Sequence, residues 1–212
     1  MHGKTKTTLI LLALGCTFLM MQTAAPLGAV EEPTRLHLIW TNDVHGHIAP
    51  EPARFMNPNF PPPLGGGASL ANYVAQVREE AELNGESILM VDVGDFFQGT
   101  PVGTKTHGDA VVEYFNTMDY DCIVPGNHDF DLGRDNCQRL AADCEMPWLA
   151  ANLRDESDGE IVDWCRPTIM FERAGLKIGC IGIITTGTAA MSFPQNIAGL
   201  IFDPMVPAIE KY

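Results

Sequence analysis

Three short runs of this 212-residue chain carry side chains that bind metal ions or move protons. They are Asp43-Val44-His45, Gly94-Asp95 and Gly126-Asn127-His128-Asp129-Phe130-Asp131. Carboxylate, imidazole and amide oxygen without thiolate suit Zn²⁺, Mn²⁺, Mg²⁺ or Fe, and the residue types do not choose among them. Two such ions roughly 3.5–4 Å apart, bridged by a carboxylate, activate water and clamp the oxygens of an in-line displacement at phosphorus. Asp95 is the candidate bridge, because one carboxylate can ligate both ions. Asn127 offers a neutral amide oxygen, which limits the negative charge of the site and leaves it attractive to phosphate.

Taken singly the runs differ in weight. Asp-x-His is expected ~0.4 times by chance in this composition, and Gly-Asp after a strand is an ordinary turn. Gly-Asn-His-Asp arises by chance in roughly one chain in several hundred. The occurrence of all three, in order and each after an apolar run, points to a metal centre rather than to polar loops.

Those apolar runs set the expected frame. Residues 35–41 read as a strand whose apolar density predicts burial on both faces, ending at Asn42-Asp43. A Pro- and Gly-rich loop over 50–67 is too irregular for a packed element. Residues 68–83 have helical spacing, with Leu70, Tyr73, Val74, Val77 and Ala81 on one face, and Asn84-Gly85 stops them. A strand over 87–93 delivers Gly94-Asp95, a helix spans 109–118, and a strand over 121–124 delivers Gly126-Asn127-His128. A helix over 132–142, a short strand over 147–151 and a hairpin (168–171 with 176–185, around Ala174-Gly175) follow, and a last helix begins near Pro204. Strands alternating with helices at this spacing make an α/β fold with a largely parallel sheet, in which the three polar runs emerge along one edge.

Composition bounds the partners. A chain with 46% hydrophobic and 19% charged residues is globular, and 27 acidic against 13 basic groups exclude a nucleic-acid polymer as partner. A small phosphorylated substrate remains compatible if bound cations reverse the local field. Residues 1–29 read as a signal peptide: Lys4 and Lys6, then an apolar run over 9–21, then Ala24-Ala25 and Leu27-Gly28-Ala29 as cleavage contexts. The run is short for a stable membrane span, so export to the periplasm or the exterior is expected. Ala13-Leu14-Gly15-Cys16 is a weak match to a lipoprotein processing site, leaving lipidation of Cys16 as the lesser alternative. Of the five later cysteines, Cys122 and Cys180 read as core thiols, whereas Cys137, Cys144 and Cys165 have more polar neighbours and two of them could pair.

On residues 38–47, Gly65-Gly66-Gly67-Ala68, residues 91–95 with Gln98-Gly99-Thr100, and residues 126–131, the chain resembles the calcineurin-like metallophosphoesterases, and within them the exported 5′-nucleotidase family. Residues 179–184 and 194–200 look like that family's later strand and loop. The resemblance implies a four-layer α/β/β/α metallophosphoesterase sandwich and two divalent metal ions. Asp43, His45 and Asp95 would hold the first ion, and Asp95 and Asn127 the second. His128 would stabilise the transferring phosphoryl group, with Asp131 orienting it. Trp40 stands where the family often has His, Asp129 where many members have Glu, and Ser69 where Arg is often seen. Neither Trp40 nor Asp129 is expected to bind metal.

The family also carries further metal-binding histidines, including Gly-His-x-His, and a C-terminal nucleotide-binding domain. No histidine follows His128 here. His37, His47 and His107 read as structural or solvent-facing. Residues 30–212 are therefore expected to be the N-terminal part of such a domain, truncated at the C-terminus, with an exposed apolar sheet face or edge and a tendency to aggregate. The expected function is an exported, metal-dependent phosphoesterase acting on nucleotides or other small phosphate esters. A 2′,3′-cyclic nucleotide phosphodiesterase or thiosulfohydrolase-type relative is the near alternative; for the 212 residues by themselves, as distinct from a longer parent enzyme, a catalytically incompetent fragment or metal-binding module is the expected behaviour.

Overall fold

The computed structural model describes residues 34–212; the signal peptide expected over 1–29, with Cys16, lies outside the described residues. β1 (Leu36–Thr41) opens the fold. The Pro-rich stretch after it holds two two-residue strands, β2 (Glu51–Pro52) and β3 (Pro63–Leu64), paired antiparallel, so this loop is more ordered than its composition predicts. α1 (Gly67–Leu83) follows with Val74 and Ala81 turned inward, while Tyr73 leaves the predicted face for solvent.

β4 (Ser87–Asp92) leads to α2 (Pro101–Lys105), a short helix missed in the sequence. Its start is set by Pro101 and by Thr100, whose hydroxyl accepts from the Gly103 amide at 3.2 Å. Then come α3 (Asp109–Thr117), β5 (Cys122–Ile123) and α4 (Arg134–Asp143). β6 (Leu153–Asp155), β7 (Thr168–Arg173), β8 (Leu176–Ile181), α5 (Thr188–Met191), β9 (Leu200–Phe202) and α6 (Met205–Lys211) complete the chain.

The central sheet has the order β1-β4-β5, all parallel, with α1 and α3 in the crossovers. Residues 147–151, expected as a fourth strand, continue it through a single bridge between Ile123 and Trp148, where Leu149 donates to the Ile123 carbonyl at 2.8 Å. β7 and β8 form the expected antiparallel hairpin, and β6 pairs with β9. The fold is thus mixed α/β, as the alternation of elements predicts.

The core lies where the central sheet meets α3 and α4. Phe96, Phe97, Phe115, Phe130 and Trp148 are almost fully enclosed. Phe96 meets Trp148 edge-on, with ring centroids 5.7 Å apart, and Phe97 at 5.4 Å. Such contacts add modestly to the large area each ring buries. β1 departs from expectation. Leu38 and Trp40 are 54% and 62% exposed, so only one face of this strand is covered. Met170 on β7 is exposed as well. An apolar sheet surface facing solvent is therefore present, as expected.

This division between covered and open surfaces predicts a contrast in chemical denaturation. Phe96→Ala should cost about 3–5 kcal/mol. Trp40→Thr should change stability by no more than about 0.5 kcal/mol and should reduce light scattering at high concentration. Equal losses from the two substitutions would refute the assignment of these faces.

Candidate metal centre and the loops that hold it

The three parallel strands end level, because Thr41 pairs with Asp92 and Asp92 with Ile123. Their loops stay laddered beyond the sheet. The amides of Asp43, His45 and Gly46 donate to the carbonyls of Gly94, Asp95 and Phe96 at 3.0, 2.9 and 2.8 Å. The loop after β4 comes equally close to the loop after β5. A Cβ on Gly94 (φ +97°) would strike the Gly126 backbone, and one on Gly126 would strike the Asp95 carboxylate. Glycine at both positions is what permits this approach.

Asp129 holds the two loops together. Its carboxylate is fully buried and accepts three backbone N–H groups: Asp95 at 2.9 Å, Phe96 at 3.0 Å and Gly126 at 2.8 Å. Burial pushes this carboxyl well above the ordinary range, against the pull of those amides. Asp95 reciprocates, its Oδ1 accepting the His128 amide at 2.7 Å. Beneath them, Asp92 accepts from the Thr41 hydroxyl at 2.6 Å and from the Gly94 amide at 2.9 Å. Thr41 Oγ has one proton and gives it to Asp92, so the Tyr120 hydroxyl, 2.9 Å away, is the donor to Thr41. Burial, helped by the charges of Asp95 and Asp43, raises Asp92 to about 7.

This framework brings Asp43, His45 and Asp95 together, with one ligand atom from each lying within 4.8 Å of the others. The set fits a divalent cation in two respects. Two carboxylates and an imidazole are hard-to-borderline donors. His45 Nδ1 donates to the Gln98 carbonyl at 2.6 Å, which fixes the tautomer and leaves the Nε2 lone pair free, 3.7 Å from Asp43 Oδ1. All three residues have positive φ (50°, 48° and 57°), a region that residues other than glycine enter at a cost.

His128 stands beside this cluster, its ring centroid 5.3 Å from that of His45. Its Nδ1 lies 2.8 Å from Asp131 Oδ2, and that hydrogen bond raises the imidazole pKa above its ordinary value. Asn127 lies at the start of the short 3₁₀ turn His128–Phe130. A downstream segment pins this turn: Ser192 Oγ donates to the Asn127 carbonyl at 3.3 Å and Asn196 Nδ2 to that of Asp131 at 2.7 Å. A cavity of about 460 Å³ opens next to Asp43, walled by Val44, Ile48, Leu70, Tyr114 and Phe115. His37 and His47 are used elsewhere, facing Glu86 at 2.6 Å and Glu51 at 3.4 Å.

Sequence reading discounted Asp129 and did not see the parts played by Gln98, Asp92, Tyr120 or Asn196. Asp129 had a signal as an acid inside the Gly-Asn-His-Asp run, and Asp92 and Gln98 lay within the family-like runs without a role assigned; Tyr120 and Asn196 act from distant elements.

Residues 36–181 match the calcineurin-like phosphoesterase family. The chain is 28% identical over 194 residues to Protein UshA of Escherichia coli, covering 91% of this chain and 33% of that protein. It is 29% identical over 171 residues to a 5′-nucleotidase of Vibrio cholerae, covering 80% and 29%. Among solved structures, a 5′-nucleotidase precursor from Thermus thermophilus superposes with a TM-score of 0.69 at 26% identity, over 83% of this chain and 33% of that one. The chain spans about a quarter to a third of the length of the curated relatives it matches.

Two outcomes follow from the geometry. Asp129→Asn removes one acceptor oxygen and turns an NH₂ group toward backbone amides, so it should cost about 2–3 kcal/mol in denaturant unfolding; a loss under about 0.5 kcal/mol would refute the bracing role. In an NMR titration of the metal-free chain, the His128 ring should titrate above the ordinary 6.5, and Asp131→Asn should bring it down. Because the shift is upward, the stability this pair adds is complete below the unfolded-state value and is lost as pH rises through the folded-state value. A His128 pKa at or below 6.5 in the native chain would overturn it.

Proposed function

The chain belongs to the calcineurin-like phosphoesterase family, and on that footing we propose that it forms the nucleotide-hydrolysing metal centre of an exported 5′-nucleotidase-like phosphoesterase. The observation that carries this reading is the convergence of Asp43, His45 and Asp95 at the ends of two paired parallel strands, with the His128–Asp131 pair alongside. Asp43, His45 and Asp95 would hold one divalent ion, and Asp95 and Asn127 a second. Bound divalent ions lower the pKa of a coordinated water and offset the charge of phosphate oxygens.

The chain's own residues supply the rest. Asp131 accepts the Nδ1–H of His128, fixes the ring's orientation and stabilises its protonated form. The charged ring then offers Nε2–H to an oxygen on which charge builds as the P–O bond breaks. Gln98, through its carbonyl, accepts the Nδ1–H of His45 and so turns Nε2 toward the cluster as the ligand nitrogen. Asp129 keeps the Asp95 and Asn127 loops in register.

A second reading, metal binding without turnover, draws support from the size of the cluster. Among the described residues it has three His, Asp or Glu members, fewer than two ions would use.

One assay separates these readings: hydrolysis of AMP, UDP-glucose and 2′,3′-cyclic AMP by the chain with Mn²⁺ or Zn²⁺. The nucleotidase reading expects turnover of AMP or UDP-glucose, abolished by Asp95→Ala and reduced about 10²–10⁴-fold by His128→Ala. Preference for the cyclic substrate would reassign the ester class. Metal binding with no turnover would favour the second reading. In the same preparation, the mass of the chain recovered outside the cytoplasm reads the cleavage expected near residue 29, and a chain retained at full mass would refute export.

A further inference from the structure

We propose that the cavity beside Asp43 holds the leaving-group side of the ester and selects a planar aromatic ring there, an inference that rests on the hydrolytic reading of the metal centre. Asp43 belongs both to the metal cluster and to the lining of the cavity, so the two spaces share a border. The cavity measures about 460 Å³ and is lined from the loop after β1, the start of α1 and α3. Small-molecule pockets span about 300–1,000 Å³.

The walls decide what enters. Ile48 and Leu70 are aliphatic, and Tyr114, Phe115 and Tyr120 supply three neighbouring rings. The ring centroids of Tyr114 and Phe115 are 6.1 Å apart, and those of Phe115 and Tyr120 4.5 Å. Both phenols are tied at their far ends. Tyr114 donates to the Gly67 carbonyl at 2.9 Å, and Tyr120 donates to Thr41 Oγ at 2.9 Å. The start of α1 lies directly against the first ring, since a Cβ on Gly67 would sit 2.7 Å from it. A wall held in place this way loses little freedom when a flat ring packs on it. Apolar walls also give water few partners, which favours an apolar occupant.

Charge sets the direction in which an ester lies. Among the described residues, none that lines the cavity is Lys or Arg, and Asp43 brings a carboxylate to it. A phosphate group is therefore kept out of the cavity and left to the cation-binding side of Asp43. The neutral part of the ester is what remains to fill it. In hydrolysis the water oxygen joins phosphorus, the P–O bond to the alcohol breaks and the alcohol leaves with a proton. That alcohol is the part the rings hold, and a nucleobase or an aryl group supplies the same planar surface.

Ser69 lines the cavity from an exposed position in the first turn of α1, so a bulky side chain there blocks the cavity without touching the metal cluster. The test compares benzyl, cyclohexylmethyl and ethyl phosphate, whose alcohols leave with similar ease, and sets AMP against ribose 5-phosphate. With Mn²⁺ or Zn²⁺, kcat/KM for benzyl phosphate should exceed that for ethyl phosphate about tenfold or more and should also exceed that for cyclohexylmethyl phosphate. Ser69→Trp should abolish the preference and Ser69→Ala keep it. A preference for AMP over ribose 5-phosphate that Ser69→Trp also abolishes identifies the ring as a nucleobase; its absence identifies an aryl alcohol. Binding is read without turnover: benzyl alcohol added to the metal-free wild-type chain should show nuclear Overhauser contacts from its ring to Leu70 and Tyr114. Those contacts with no turnover of any ester would refute the hydrolytic reading and leave the ring site standing. Equal rates on benzyl and ethyl phosphate, a preference that survives Ser69→Trp, or absence of the contacts in the wild-type chain would overturn the proposal.

Discussion

The buried carboxylate of Asp129, shared among the amides of Asp95, Phe96 and Gly126, is the interaction on which the arrangement of this site depends. A buried carboxylate without donors is costly, and three main-chain donors offset much of that cost. Those donors come from two separate strand-to-helix loops, so satisfying the carboxylate forces the loops together. Their approach in turn excludes side chains at Gly94 and Gly126. Asp95 is carried on one loop and His128 on the other, and their relative position follows from this single knot. The segment that supplies Ser192 and Asn196 then closes on the outside of the same turn.

The electrostatics of the centre follow from its crowding. Asp43, Asp92, Asp95 and Asp129 lie near one another in a chain that already carries a net charge of −14. Burial, with the charges of neighbouring aspartates behind it, pushes Asp92 up to about 7 and Asp129 well above the ordinary range. His128 is the cationic counterweight within the protein, and its hydrogen bond to Asp131 keeps that charge available. A site so acidic would repel a phosphate anion unless divalent ions reversed the field.

Much of the frame was legible in the sequence because it is local. The apolar runs, the polar groups at their ends and the turn at Ala174-Gly175 declare themselves within a few residues, and Asp43, His45 and Asp95 do converge. The family motifs added what spacing alone could not, including the pairing of His128 with Asp131. Asp129 was undervalued because its partners are amides, two of them on a loop more than thirty residues upstream, and an amide leaves no residue type to recognise. β1 was misjudged for a related reason. An apolar strand reads the same whether or not something covers its second face, and Leu38 and Trp40 are open here. The cysteines were sorted by the polarity of their neighbours in sequence, whereas Cys137 lies on the inner side of α4 and Cys165 next to Trp148 and Trp164.

The left-handed backbone at Asp43, His45 and Asp95 means that the centre is written in main-chain shape as well as in side chains. At each of these positions glycine would be the more comfortable residue, since it pays no steric cost at φ near +50°. Drift toward a more robust fold would therefore tend to erase the ligands one by one, and only a demand for their chemistry keeps them. The same holds for anyone transplanting the centre: a host scaffold that presents the three side chains without three left-handed turns would aim them elsewhere.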